Sequence, residues 1–274
     1  MNIGVLHPGA MGASVAASLV ACGHRVLWSE DGRSEATRVR AQAASAEAVG
    51  KIEQLIDGAE LIVSVCPPES ALELAAVVAD AGFGGLYVDA NAVAPATAQA
   101  VAARFGDRYI DGGIIGPPAT RPGTTRLYLA GARAADVADL FAGGPLEAIA
   151  LDQGGQTGAS ALKMAYAAYT KGHAALLLAA RALAAAGDVG AALDAEWERS
   201  QPGLTQRLAG AARGVAPKGW RFAGEMREIA ATFEAAGLPP QFHLGAADLY
   251  ERLAAFKDLD DVDVEQVLAR LLRA

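Results

Sequence analysis

The stretch Ile3-Gly-Val-Leu-His-Pro-Gly-Ala-Met-Gly12 combines an apolar run, a glycine turn and small residues in the pattern of an anion cradle. It reads as a short buried strand, a turn, and a helix over Ala13 to Ala21. Gly9 allows a backbone to approach phosphates, Gly12 lets the helix pack on the strand, and the free N–H groups of the first helical turn face the anion. Gly9, Ala10, Met11 and Gly12 are thus the expected contacts of a dinucleotide pyrophosphate. The fingerprint G-x-G-x-x-G is incomplete, because His7 stands at its first glycine. The competing reading is an ordinary strand–turn–helix corner.

Four further stretches carry polar groups at the ends of expected strands or at a helix start. Ser29-Glu-Asp-Gly-Arg-Ser34 follows the second strand, where such folds meet the adenosine ribose. Glu30 or Asp31 suits the ribose hydroxyl of NAD, whereas Arg33 and Ser34 suit the extra phosphate of NADP. A carboxylate would repel that phosphate, so NADP is favoured and NAD remains possible. Cys66 and Pro67 close the next strand and join the expected cofactor contacts, as does Asn91 in Val88-Asp-Ala-Asn-Ala-Val-Ala-Pro-Ala-Thr97. Asn91 equally suits a local backbone bond, and the two readings stand level. Asp111-Gly-Gly-Ile-Ile-Gly-Pro-Pro118 reads as a glycine- and proline-rich loop after a strand, offering close backbone approach to a small ligand. Last, Gly154-Gly-Gln-Thr-Gly-Ala-Ser-Ala-Leu-Lys163 opens a long helix. Small or apolar neighbours (Ala159, Ser160, Leu162, Met164, Ala167) leave Lys163 poorly solvated and able to carry a proton near neutrality. Taken alone, a lysine snorkelling to water is the simpler reading.

The elements that must hold these groups alternate. Strands are expected over Arg25–Trp28, Glu60–Cys66, Leu86–Asp89, from Tyr109, and over 126–130 and 145–150, with helices from Ser34, over Glu69 to Ala81, from Pro95, and over Ala134 to Phe141. Such alternation implies βαβ units and a doubly wound parallel sheet of the Rossmann type, α/β, over residues 1–156. From Thr157 to Ala186 the sequence has no proline, and a helix of that length spans roughly 45 Å. After it only helical segments are expected, around 189–200, 203–213, 219–236, 240–256 and 262–273, so residues 157–274 form an all-helical second domain.

Composition sets outer limits. Hydrophobic residues make up 53% but aromatics only 6%, so Ala, Leu and Val build the core. The net charge of −8, without a basic stripe, excludes nucleic acid as the expected partner. Cys22 and Cys66 have neither disulfide nor metal spacing, and no metal site is expected. No signal peptide is expected, and the longest apolar stretch, Ala174 to Ala180, stops at Arg181, too short for a membrane span. A cytoplasmic protein is the expectation.

The five stretches occur in the order and spacing of the β-hydroxyacid dehydrogenases, the superfamily of 3-hydroxyisobutyrate and 6-phosphogluconate dehydrogenases, which the chain resembles over its whole length. Gly9, Met11 and Gly12 resemble that family's G-x-G-x-M-G, Asp111 to Gly116 its D-x-P-V-S-G, and Gly155-Gln-Thr-Gly158 with Lys163 its G-x-x-G-x-x-x-x-K. Trp220, Glu225-Met226, Gly237-Leu-Pro239 and Phe242-His243 resemble the subgroup whose C-terminal domain is of unknown function. The resemblance implies hydride transfer between nicotinamide and a hydroxyl-bearing carbon of a small substrate. It assigns Lys163 as general acid or base, substrate contacts at Gly113, Ile115 and Gly116, a homodimer through the helical domains, and an active site in the interdomain cleft. Two departures matter: Ile115 replaces the family's serine and Ala167 its asparagine, so the substrate does not carry over. Lys171 and His173 are candidates to compensate, although Lys171 lies about 80° past two full helical turns from Lys163. Imine reduction on the same architecture, and a non-catalytic NADP(H) sensor, are the rival readings.

Overall fold

A computed structural model of the chain describes residues 1–257, 259 and 261–273. In chain order the elements are β1 (Asn2–Leu6), α1 (Ala10–Ala21), β2 (Arg25–Ser29), α2 (Glu35–Ala43), β3 (Glu47–Val49), α3 (Ile52–Gly58), β4 (Leu61–Ser64), α4 (Ala71–Asp80), β5 (Leu86–Asp89), α5 (Pro95–Phe105), β6 (Tyr109–Ile115), β7 (Arg126–Ala130), α6 (Ala134–Asp139) and β8 (Glu147–Ala150). The helices α7 (Gly158–Ala186), α8 (Gly190–Ser200), α9 (Leu204–Val215), α10 (Gly219–Ala235), α11 (Gln241–Arg252) and α12 (Val264–Leu271) follow. Two compact units result, Met1–Lys163 and Met164–Ala274.

In the first unit the described strands form one sheet in the order β3-β2-β1-β4-β5-β6-β7-β8. Strands β1 to β6 run parallel, as expected. The expectation of a wholly parallel sheet needs correcting at its far side, where β7 pairs antiparallel to β6, with Gly113 opposite Tyr128. All four residues of Leu61-Ile-Val-Ser64 are buried, the mark of a central strand covered on both faces. One face packs Val15, Ala16 and Leu19 of α1 on Ile3, Val5, Val63 and Val88, and the other packs Leu74 and Val78 of α4 and Val101 of α5 with Ile62 and Tyr87. Leu19 is fully buried, which contributes about 1.5–3 kcal/mol. Strand order reverses between β1 and β4, and that crevice is where open α/β sheets take ligands.

Three sequence expectations change. The stretch after Asp111 is no loop: Gly112, Gly113, Ile114 and Ile115 continue β6, every residue of which is buried. The glycines are there because other backbone comes close. A Cβ on Gly112 would lie 3.1 Å from Ala90 Cα, and one on Gly113 would lie 2.6 Å from the Ala159 carbonyl oxygen. The short β3 and α3, absent from the sequence expectation, fill the crossover to β4. The units divide after Lys163 rather than after residue 156, because the first turns of α7 pack on β6.

Among its described residues the second unit consists of helices joined by short turns, with no strand, as expected. Glu225 of α10 holds the ammonium of Lys171 on α7, which lies 4.6 Å from the centre of the Phe222 ring, and Tyr250 of α11 donates to the Lys171 carbonyl at 2.7 Å. Gly172 faces Phe242, whose ring a Cβ there would meet at 2.9 Å. No helix among the described residues is long and apolar enough to cross a membrane.

Beneath the sheet's carboxyl end lies a buried polar cluster. Asp89 and Asp111 are register partners on β5 and β6, and Asp89 accepts from the Asn91 backbone N–H at 3.2 Å. Burial, with Asp111 nearby, lifts Asp89 from 3.8 to about 7. The native state therefore keeps a proton that the unfolded chain loses near 3.8, and the stability tied to it is complete at low pH and lost as pH rises through about 7. Asp89→Asn, neutral at every pH and still an acceptor for Asn91, is expected to stabilise the protein at pH 8 by a few kcal/mol (roughly 1.4 per pKa unit) and to give no such gain at pH 4. Urea unfolding of both proteins at the two pH values checks this; an equal difference at both contradicts it.

Candidate functional site

Gly9 caps α1 without a side-chain bond, and no acidic residue stands in the first turn, so that helix end is open to an anion. A Cβ on Gly9 would meet nothing within 4 Å, whereas one on Gly12 would lie 2.3 Å from the His7 carbonyl oxygen. Gly12 is therefore the residue that permits the strand–helix contact. His7 adopts φ of 61°, the left-handed conformation that the fingerprint's first glycine would take without strain. Desolvation, and then the Arg33 guanidinium, lower the His7 imidazole to about 4, so it is neutral at physiological pH.

At the end of β2 the expected pair separates into two roles. Arg33 lies close enough to His7 to lower its pKa, and its buried Nε lacks a hydrogen-bond partner. An orphaned guanidinium donor beside the open helix end suits a phosphate. Ser34 caps α2, accepting from Thr37 N at 3.3 Å, with Thr37 Oγ1 at 3.1 Å. Glu30, a candidate ribose ligand, pairs with Arg38 at 3.7 Å. Thr37 and Arg38 escaped the sequence reading because they lie inside α2, although the Ser34–Thr37 spacing of a cap was legible.

Cys66 and Pro67 follow β4, beside the glycine loop across the β1–β4 crevice. Burial drives the Cys66 thiol up to about 12, so it has no nucleophilic role near neutrality. The Asn91 side chain bonds no backbone of its own helix start but reaches across to the end of β4. Its Oδ1 accepts from Cys66 N at 2.6 Å and its Nδ2 donates to Ser64 Oγ at 3.1 Å, so this buried side chain shapes the Cys66–Pro67 turn.

Lys163 comes forward from α7 to donate from Nζ to the Ile114 carbonyl at 2.7 Å. Gly113 lies beneath it, where a Cβ would come 3.1 Å from Lys163 Cβ. Ile115 is buried and in register with Arg126, which corrects its placement in a free loop. Gly116, just beyond the strand, has φ of 129° and faces the Thr124 carbonyl, a conformation that excludes side chains. Lys171 belongs to the second unit, where Glu225 holds it. Ser160, one turn before Lys163, bonds Asp111 through both its backbone and its hydroxyl. That link joins two of the stretches singled out in the sequence, but spacing alone does not reveal it. Among the described residues, no group of three His, Cys, Asp or Glu side chains is placed to hold a metal ion.

Residues 2–93 match the family described as NADP oxidoreductase coenzyme F420-dependent, and residues 184–253 match a domain of unknown function (DUF1932). A conserved hypothetical protein from Sinorhizobium meliloti is 25% identical, with a TM-score of 0.67 over 99% of this chain and 97% of its own. The 3-hydroxyisobutyrate dehydrogenase of Mycobacterium tuberculosis, solved with L-serine, is 19% identical, with a TM-score of 0.71 over 99% of each chain. A reductive aminase from Aspergillus terreus, solved with NADPH and ethyl levulinate, is 21% identical, with a TM-score of 0.56 over 98% of each chain. No curated protein matches the sequence. The chain therefore has the fold of the 3-hydroxyisobutyrate dehydrogenases, as the motifs implied, with one segment matching an NADP oxidoreductase model and another matching a domain of unknown function.

Gly12→Val is expected to abolish NADPH binding, because the side chain forces α1 off the His7 carbonyl. His7→Gly is expected to bind normally, and relief of the left-handed backbone is worth about 1 kcal/mol. Fluorescence titration with NADPH checks both; a His7→Gly protein that loses binding contradicts the backbone account of this position.

Proposed function

We infer that this chain is a cytoplasmic NADP(H)-dependent oxidoreductase acting on a small β-hydroxy acid-like substrate, with Lys163 as its general acid or base. The observation that carries this reading is Lys163 Nζ standing 2.7 Å from the Ile114 carbonyl, above a glycine that admits no side chain. Bound NADP(H) would supply or accept the hydride at nicotinamide C4. The protein's part is to bind, orient and move the proton. The open start of α1 and the Gly9–Gly12 loop receive the pyrophosphate, and Arg33 receives the extra phosphate beside the capped start of α2. Lys163 takes the hydroxyl proton during oxidation and returns it during reduction. Ile115 offers no hydroxyl to a substrate carboxylate, which sets this chain's substrate apart from 3-hydroxyisobutyrate.

A second reading, reduction of a C=N bond, draws on the likeness to the reductive aminase and to a Streptomyces aurantiacus imine reductase, 18% identical with a TM-score of 0.53. Retention of a lysine in its motif favours the first reading.

Arg33→Ala is expected to weaken NADPH binding by about 1.5–3 kcal/mol, roughly ten- to a hundredfold, and to leave NADH unchanged. Equal wild-type affinities for the two cofactors contradict the assignment. Lys163→Ala is expected to lower kcat by about 10²–10⁴ with little change in cofactor affinity, and Lys163→Arg to give no rescue, since guanidinium keeps its proton. Steady-state assays on β-hydroxy acids and cyclic imines, followed at the nicotinamide absorbance, check this; near-normal turnover by the alanine variant contradicts it.

A further inference from the structure

Asp111 is fully buried, and its carboxylate points at the start of α7. Oδ2 accepts from Ser160 N at 2.7 Å, and Oδ1 accepts from Ser160 Oγ at 2.6 Å and from Tyr109 OH at 3.4 Å. Ser160 lies in the first turn of α7, whose leading N–H groups have no acceptor within the helix. The carboxylate thus serves as a cap supplied by another element, at the end of the helix where its dipole favours negative charge.

The contact continues along β6. Gly113, two residues on and on the same face of the strand, gives way to the Ala159 carbonyl, which a Cβ would approach to 2.6 Å. Ile114 then takes Lys163 Nζ. Asp111, Gly113 and Ile114 therefore meet Ser160, Ala159 and Lys163 respectively, and the strand fixes both the height and the rotation of the helix's first turns. Ser160 and Lys163, three residues apart, share one helix face, so a shift at Ser160 moves Lys163 with it.

We propose that Asp111 is a positioning residue for Lys163, acting through Ser160 to hold the ammonium at the Ile114 carbonyl. Its consequence for catalysis rests on the reading of Lys163 as proton carrier; its consequence for the lysine's placement does not. In Asp111→Asn the charge at the helix start is lost and one oxygen becomes an NH2 group; with the remaining oxygen on Ser160 N, the hydroxyls of Ser160 and Tyr109 must turn from donating to accepting, so the lock loosens. Ser160→Ala removes only the hydroxyl bond and leaves the backbone one.

The test is site-resolved acetylation of the full-length chain with acetic anhydride across pH, read by mass spectrometry, with exposed Lys51 and Lys218 as references. Asp111→Asn is expected to change the Lys163 labelling rate severalfold and to displace its pH profile, with Ser160→Ala smaller in the same direction and the references unmoved. In turnover, Asp111→Asn lowers kcat with the KM for NADPH held, and has no further effect in a Lys163→Ala background. A folded Asp111→Asn protein with wild-type Lys163 labelling overturns the proposal, as does an equal loss of kcat with and without Lys163. Should Asp111→Asn fail to fold, Ser160→Ala decides: altered Lys163 labelling supports the proposal and unaltered labelling overturns it. If Lys163→Ala retains turnover while Asp111→Asn still moves the labelling, the proton-carrier reading fails and the positional claim stands.

Discussion

The seating of one helix start on one buried strand is the contact on which the position of Lys163 depends. Two hydrogen bonds from Ser160 to Asp111, and a glycine that lets the Ala159 carbonyl approach, fix α7 against β6. Lys163 owes its place to that contact. A lysine two turns into an unanchored helix has four rotatable carbons and a solvent to explore; here its ammonium is held by a carbonyl of the strand beneath. The burial of Asp111 costs desolvation, which raises its pKa, and the bonds from Ser160 offset part of that cost.

The cofactor half rests on a different constraint. Strand order reverses between β1 and β4, so the two following turns face one crevice. Each turn is set by a local device. His7 takes the left-handed backbone that a glycine would take, and Gly12 closes the corner. Asn91 reaches from beyond β5 to hold Cys66 N. Arg33 keeps a buried donor unspent, and its charge helps to keep His7 neutral.

The alternation of strands and helices, the helix starts at Ser34 and Pro95, and the long α7 were all legible in the sequence, because each is a local pattern of burial or helix initiation. The glycine run after Asp111 was not. Gly-Gly followed by Gly-Pro-Pro carries the signature of a loop, and only the neighbouring backbone of Ala90 and Ala159 explains why a central strand needs it. The reversal at β7 has no signature in a run such as Arg126–Ala130, whose residues suit either direction. Lys163 was legible as a motif and Arg33 as a charge at the right turn. Their surroundings, Asp111 with Ser160 for one and His7 with Cys66 for the other, are long-range contacts that no local pattern encodes.

Hydride transfer itself is the central claim, and deuterium tests it most directly. The protein is incubated with NADPH carrying deuterium at nicotinamide C4 and with a panel of β-keto acids and cyclic imines, and the products are weighed by mass spectrometry. The account expects deuterium on the former carbonyl carbon of one or more acids, and transfer that collapses when Lys163 is replaced by alanine. Tight NADPH binding with no deuterium delivered to any carbonyl or imine carbon would contradict it.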